Sequence, residues 1–497
     1  MAGRKNYYSL LGVPRNASTD QLRRAYRQAA LRLHPDRNER PGDTEVFLDI
    51  SQAYETLIDA EARRAYDEEL AAEELEQAEQ SPFTARVLHS RKSLLRLPEP
   101  QVHYLLLDIQ PKASVGHVRP PVNLSIVIDR STSMRGQRLD HVRSATQEIL
   151  KSLQEQDRAS VTAFSDRAEL IVSPDQASDL SVARARLSLL QADGGTEIFR
   201  GLQMGLEQLD LNFTKEGVNH LILLTDGRTY GDEAQCLDLA TTVAERGISI
   251  NGVGIGSDWS DRFLDDLAGR TGGHVMFLDS PRAVTQLLES ILDSLSKVIA
   301  SRLRLDGSLS QFVDLRSAYR LRPEPMVLSD SLPLKLGNLP ANEIIRLLLE
   351  VVIHPIGDQE MLTLAHFDVA GDLLAQGGET HVLPVLVEHT VSDQPDTQPP
   401  PQEIVEALSS IALYKMQDMA RHEAELGHAS HAAQRLENLA TQLLANGQRD
   451  LAKAALNEAE NLASARRFST EGEKILKYGT RALLLPAHAE SAGVNDD

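Results

Sequence analysis

Residues 122–133 read Val122-Asn123-Leu124-Ser125-Ile126-Val127-Ile128-Asp129-Arg130-Ser131-Thr132-Ser133. The opening run is mostly apolar and β-branched, the mark of a strand buried on both faces of a parallel sheet. It delivers Asp129 at its carboxyl end, and Leu139, Val142, Ala145, Ile149 and Leu150 follow at helical spacing. A second apolar run, Leu221-Ile222-Leu223-Leu224, delivers Thr225-Asp226-Gly227 in the same way. Between them, Gly194-Gly195-Thr196 precedes a helix around Leu202, Leu206 and Leu209. Further strands are expected at 159–164, 248–253 and 274–278, with a last helix through Val284, Leu287, Leu288 and Ile291. Strand and helix alternate, which predicts a doubly wound α/β domain over residues 120–299.

Asp129, Ser131, Ser133, Thr196 and Asp226 offer only oxygen: two carboxylates and three hydroxyls. Hard oxygen ligands without His or Cys suit magnesium or another small hard cation. Open α/β sheets gather their ligands at the carboxyl ends of the strands, which is where these residues fall. The arrangement resembles the metal-ion-dependent adhesion site of von Willebrand factor A domains, with every position of that site filled. The resemblance implies that Ser131 and Ser133 bind the ion directly. Thr196, Asp129 and Asp226 would bind directly or through water. Magnesium is the expected ion, with manganese and calcium as alternatives, and an open coordination position would take an acidic residue of a protein partner. Arg130 and Arg135 flank the site. Gly252-Val253-Gly254-Ile255-Gly256 lacks dinucleotide-site spacing and reads as a strand-exit turn. No positioned base or nucleophile accompanies the oxygens, so no enzyme is expected.

Near the N-terminus, Ser18 and Gln21 form a capping-box signature. Leu22, Ala25, Tyr26, Ala29 and Leu33 then recur at helical spacing, with Arg23, Arg24 and Arg27 off that stripe. Phe47, Ile50, Ala53, Tyr54 and Leu57 make a second stripe, so two helices should zip as a hairpin with His34-Pro35-Asp36 at its tip. Residues 5–69, from Tyr7-Tyr8-Ser9-Leu10-Leu11-Gly12-Val13 to Arg63-Arg64-Ala65-Tyr66-Asp67, resemble the J-domain of DnaJ-type co-chaperones. The resemblance implies that His34, Pro35 and Asp36 trigger ATP hydrolysis by a DnaK-type chaperone and that the arginine face docks it. Leu33 and Ala62 depart from the family pattern, and neither touches the tripeptide.

At 497 residues the chain is too long for one core. A hydrophobic content of 41% and a charged content of 25% are those of an ordinary soluble protein. The formal charge of −21 argues against nonspecific nucleic-acid binding. No apolar run is long enough to span a membrane, and no signal-peptide core opens the chain. Cys236 is the only cysteine, which excludes the cysteine-based zinc modules of some J-proteins. A cytoplasmic location is expected.

The expected architecture is multidomain: an all-α J-domain hairpin at 1–70, then an acidic helical linker at 71–82 acting as a spacer. Strands at 83–119 and 300–391 together form a β-sandwich into which the von Willebrand A-like domain, 120–299, is inserted. Within the second piece, Gly337-Asn338-Leu339-Pro340 is read as the lead-in to a strand at 347–353. A Pro-rich linker at 392–402 leads to a C-terminal helical bundle at 403–486, expected to stabilise or dimerise the protein, with binding of a second partner as the alternative, and a disordered tail at 487–497. The functional expectation is a co-chaperone that holds a partner at the metal and recruits a DnaK-type chaperone to it. The alternative is a magnesium-dependent scaffold for a ring-forming ATPase or signalling complex.

Overall fold

A computed structural model describes residues 6–484 except 12, 14, 16, 34–42, 114, 117, 178, 230, 279, 281–282, 311, 357–359 and 397; the side chains of 9, 28–33 and 43–47 are likewise not described. The His34-Pro35-Asp36 loop and the tail 487–497 lie outside the described residues.

Helices Thr19–Leu33 and Asp43–Ile58 form the expected N-terminal pair. The capping box is made: Gln21 Oε1 accepts the Ser18 N–H at 2.7 Å and Ser18 Oγ accepts the Gln21 N–H at 3.3 Å. The two ends of the segment close on each other. Tyr7 stacks on Tyr66 with centroids 4.4 Å apart, and Tyr8 donates to Asp67 at 2.6 Å. Arg63 donates to the Tyr8 hydroxyl at 3.1 Å and to the Ala17 carbonyl at 2.8 Å. Leu22, Ile50, Ala53 and Leu57 are buried between the helices, and Tyr26 stacks on Tyr54.

The next helix is continuous from Ala60 to Gln80, capped by the Asp59 side chain. It is not a free spacer. Ala78 packs against the sandwich core, and Lys112 Nζ donates to the Ala78 and Glu79 carbonyls at 2.9 and 2.8 Å. A cation at the carbonyl end of the helix is also where the helix dipole favours one.

Two five-stranded sheets follow. One runs Phe83–His89, Gln101–Pro111, Ile345–Ile353, Val313–Arg322, Met326–Val327; the other runs Leu334–Pro340, Val298–Leu309, Met361–Leu373, Glu379–Ser392, Leu94–Leu95. Strands from before and after the inserted domain pair directly, with Leu107 opposite Leu347. Their inward faces bury Leu105, Leu107, Leu305, Leu347, Leu349 and Val369. Residues 337–340 differ from expectation, since they complete a strand. Gly337 has φ +81°, and a Cβ there would lie 2.3 Å from the Gly272 carbonyl oxygen. The glycine therefore permits a close approach of sandwich and inserted domain inside a bulged strand, where the sequence suggests a loop.

The inserted domain has a six-stranded sheet ordered Ala168–Val172, Arg158–Phe164, Val122–Asp129, Val218–Thr225, Ser249–Ile255, Val275–Leu278. All neighbours are parallel except the first pair. Every residue of Val122–Asp129 and Val218–Thr225 is buried, because helices cover both faces.

Four helices, Gln402–Glu425, Ala429–Ala445, Arg449–Ala465 and Thr470–Ala482, enclose Leu436, Leu439, Leu443, Leu462 and Leu476. The first lays Ile404, Ala407 and Ile411 on Leu106 and Leu348 of the sandwich. The last docks on the inserted domain. Lys474 Nζ lies 3.7 Å from the Trp259 ring centroid, Lys477 reaches Asp265 at 2.8 Å, and Arg481 chelates Asp265 at 2.7 and 2.8 Å.

Candidate functional site

Four of the five predicted metal-site side chains form one connected group. Ser131 Oγ lies 2.9 Å from Ser133 Oγ, and Ser133 Oγ donates to Asp226 Oδ1 at 2.7 Å. Asp129 Oδ1 accepts the Ser131 N–H at 2.8 Å, which fixes the tight turn out of the strand. Thr196 is buried across Gly227 from them: a Cβ on Gly227 would lie 3.2 Å from Thr196 Oγ1 and 3.8 Å from Asp129 Oδ2. The loop carrying Thr196 is tied to the first turn, since the Thr132 N–H and hydroxyl both donate to the Gly194 carbonyl, at 3.1 and 3.0 Å. Asp166 accepts the Gly195 N–H at 2.8 Å, and a Cβ on Gly194 would meet the same carboxylate at 2.6 Å.

Asp129 and Asp226 are fully buried, whereas Ser133 is exposed, so the group opens to solvent on one side. Burial raises Asp129 to about 6, against the lowering by the Ser131 and Thr225 hydrogen bonds, and Asp226 adds to the rise. Two buried carboxylates backed by hydroxyls fit a hard cation. Asp129, Ser131, Ser133, Thr196 and Asp226 are the residues that would hold it.

Two contributors were not read from the sequence. Thr225, immediately before Asp226, donates from Oγ1 to Asp129 Oδ2 at 2.7 Å and orients it. Arg138, at the start of helix Gln137–Ser152, places a guanidinium nitrogen 2.5 Å from Asp226 Oδ2. Gly256 makes room for it: φ is +70°, and a Cβ would sit 3.1 Å from Arg138 Nη2. The expected flanking arginines are less engaged. Arg135 is exposed, and Arg130 lies 3.7 Å from Glu169, away from the carboxylate pair.

On the N-terminal helices, Arg23, Arg24 and Arg27 all lie exposed on the surface of Thr19–Leu33, as its apolar spacing requires. Arg23 pairs with Asp20 at 3.3 Å.

Comparison with known proteins gives each region a relative. The DnaJ domain family matches residues 6–67, the von Willebrand factor type A domain family 123–290, and the Sll0103-like C-terminal alpha-helical domain family 402–486. The Synechocystis protein sll0103 is 26% identical over 404 residues, covering 78% of this chain and 94% of its own. Chaperone protein DnaJ 2 of Thermus thermophilus is 49% identical over 67 residues, 14% of this chain and 24% of the relative, so the chain shares only about a quarter of that protein. Among solved structures, the von Willebrand factor type A protein of Catenulispora acidiphila superposes with TM-score 0.64 at 17% identity, covering 80% of this chain and 96% of its own. The ArnB paralog VWA2 of Sulfolobus acidocaldarius gives 0.52 at 13%, covering 81% and 98%. These likenesses are of fold. The chain fuses a J domain to a von Willebrand A domain, with a sheet-rich region and a C-terminal helical domain.

Proposed function

We propose that the protein is a non-enzymatic co-chaperone. Its von Willebrand A domain holds a protein partner at a magnesium ion, and its J domain recruits and stimulates a DnaK-type chaperone there. One observation carries the reading: a J domain with three exposed arginines shares a chain with a domain whose Asp129, Ser131, Ser133 and Asp226 converge. The ion, when bound, supplies a coordination position for a partner's carboxylate. Asp129, Ser131, Ser133, Thr196 and Asp226 would hold it, with Thr225 orienting Asp129. Arg138 pairs with Asp226 and gives the buried carboxylate a countercharge. On the J domain, exposed basic residues on a rigid helix raise encounter rates with an acidic surface. Joining the two activities on one chain raises the chaperone's concentration at the held partner, to the millimolar range for short connections. No helix of the described residues is long and apolar enough to cross a membrane.

The test is affinity capture with the full chain in magnesium and in chelator, beside Asp129→Ala. The reading expects partners retained in magnesium and lost both with chelator and in Asp129→Ala. Identical sets in all three conditions would refute metal-dependent capture.

A further inference from the structure

A second cluster of ligating side chains lies in the sandwich, remote in sequence from the carboxylate site. His89 ends strand Phe83–His89, His103 lies on the neighbouring Gln101–Pro111, and His389 lies on Glu379–Ser392 of the opposite sheet. One ring nitrogen from each lies within 4.8 Å of the others, and His89 Nδ1 is 3.2 Å from His103 Nε2. Two nitrogens on a tetrahedral zinc ion with bonds of about 2.0–2.1 Å stand roughly 3.3 Å apart. The first pair is already at that spacing, and the His389 nitrogen lies within 4.8 Å of both.

Two of the rings, His103 and His389, have an outer hydrogen-bond partner of the kind that metal-bound histidines keep. His103 Nδ1 engages Ser90 Oγ at 3.2 Å, and Ser90 Oγ in turn accepts the Tyr104 N–H at 3.0 Å. His389 is hydrogen-bonded to the Arg91 backbone, yet its Nε2 is buried with no hydrogen-bond partner among the described residues. Such an outer partner on one nitrogen fixes the ring and leaves the other free to ligate. His389 is only 8% exposed, so its unmet Nε2 carries a desolvation cost that a ligand would remove. Burial, with the neighbouring rings adding to it, lowers His89 to about 4 and His103 to about 2, which keeps both as neutral imidazoles, the ligating form. A cavity of about 390 Å³ adjoins the cluster, lined by His89, His389, Lys92, Asp396 and Pro399, and leaves space for a water as fourth ligand. No carboxylate or thiolate joins the set among the described residues, and an imidazole-only set selects zinc or a neighbouring transition metal over magnesium.

We propose that His89, His103 and His389 form a zinc site that staples the two sheets of the sandwich together. It would join strands from before and after the inserted domain, beneath the segment that leads to the helical bundle.

The test uses untagged full-length Asp129→Ala, which silences the carboxylate site, titrated with cobalt(II) and followed by visible absorption. The proposal expects one equivalent with the strong absorption of four-coordinate, nitrogen-bound cobalt, displaced by zinc. His389→Gln should weaken cobalt binding by more than the roughly 10- to 100-fold that losing an outer partner costs. Should His389→Gln fail to fold by circular dichroism, Ser90→Ala keeps all three imidazoles and should still lose roughly 10-fold or more. Only the weak absorption of six-coordinate, oxygen-bound cobalt, or an affinity unchanged in the folded variant, would overturn the site.

Discussion

Replacing Asp261 by Ala should detach the last helix of the bundle from the von Willebrand A domain. Asp261 accepts from Arg421 at 2.7 Å and from Lys477, and its side chain is 14% exposed. Both cations keep a second partner, Lys477 with Asp265 at 2.8 Å and Arg421 with Glu473 at 2.7 Å. The loss is therefore two charged hydrogen bonds and not two stranded charges. At about 1.5–3 kcal/mol each, the lower end applies to a site with replacement partners, giving roughly 3 kcal/mol. That is about a 100-fold shift in the docking equilibrium. The reporter is built in: Trp259 is the chain's single tryptophan, and it sits beneath Lys474 and beside Tyr478 in this interface. Urea titration followed by its emission should show an early transition in Asp261→Ala. Asp210→Ala is the control, because Asp210 and Arg246 are 45% and 42% exposed and such pairs contribute less than about 1 kcal/mol. Coincident transitions for Asp261→Ala, Asp210→Ala and wild type would show that the buried ion pairs do not hold the bundle in place.

The same interface should open in acid. Burial alone would raise Asp261 and Asp265, but Lys477 and Arg421 on the one, and Arg481 and Lys477 on the other, outweigh it and hold both below the usual carboxylate range. Their contribution is then complete above about pH 4 and is lost as pH falls through the depressed values, which Trp259 emission between pH 5 and pH 2 should follow. Gly254→Ala would put a Cβ 1.9 Å from the Trp259 ring, so thermal melts should show a loss of about 1–3 kcal/mol or more. Gly269→Ala, where nothing lies within 4 Å, should instead be neutral or stabilising. Arg138→Met removes a positive charge from Asp226; its repulsion of a doubly charged cation about 5 Å away is roughly 2–7 kcal/mol at an effective dielectric of 80–20, and the screened lower end applies to a side chain that is 33% exposed. Calorimetry should accordingly find magnesium bound about tenfold tighter, and weaker binding would contradict the role given to Arg138.

Much of this fold was legible because its signals are local. The stripes through Leu22 and Leu57 bury where their spacing says, and the mostly apolar runs before Asp129 and Asp226 are central strands buried along their whole length. The oxygen donors were legible for the same reason: each follows directly from a strand end or a glycine turn. What escaped depends on contacts across the chain. Arg138 looks like any helical arginine until Gly256 is seen making room for it. His89, His103 and His389 have no spacing that marks a site, since only the packing of one sheet on the other brings His389 to the first two. The last helix likewise reads as a plain amphipathic segment. Its Lys474, Lys477 and Arg481 gain meaning only from Trp259, Asp261 and Asp265 opposite.

The most direct test of the central claim is single-turnover ATP hydrolysis by a DnaK-type chaperone in the presence of the full chain. Wild type should accelerate hydrolysis, while His34→Gln should give the unstimulated rate with an unchanged circular dichroism spectrum. Equal rates with wild type, with His34→Gln and with no added chain would contradict the account.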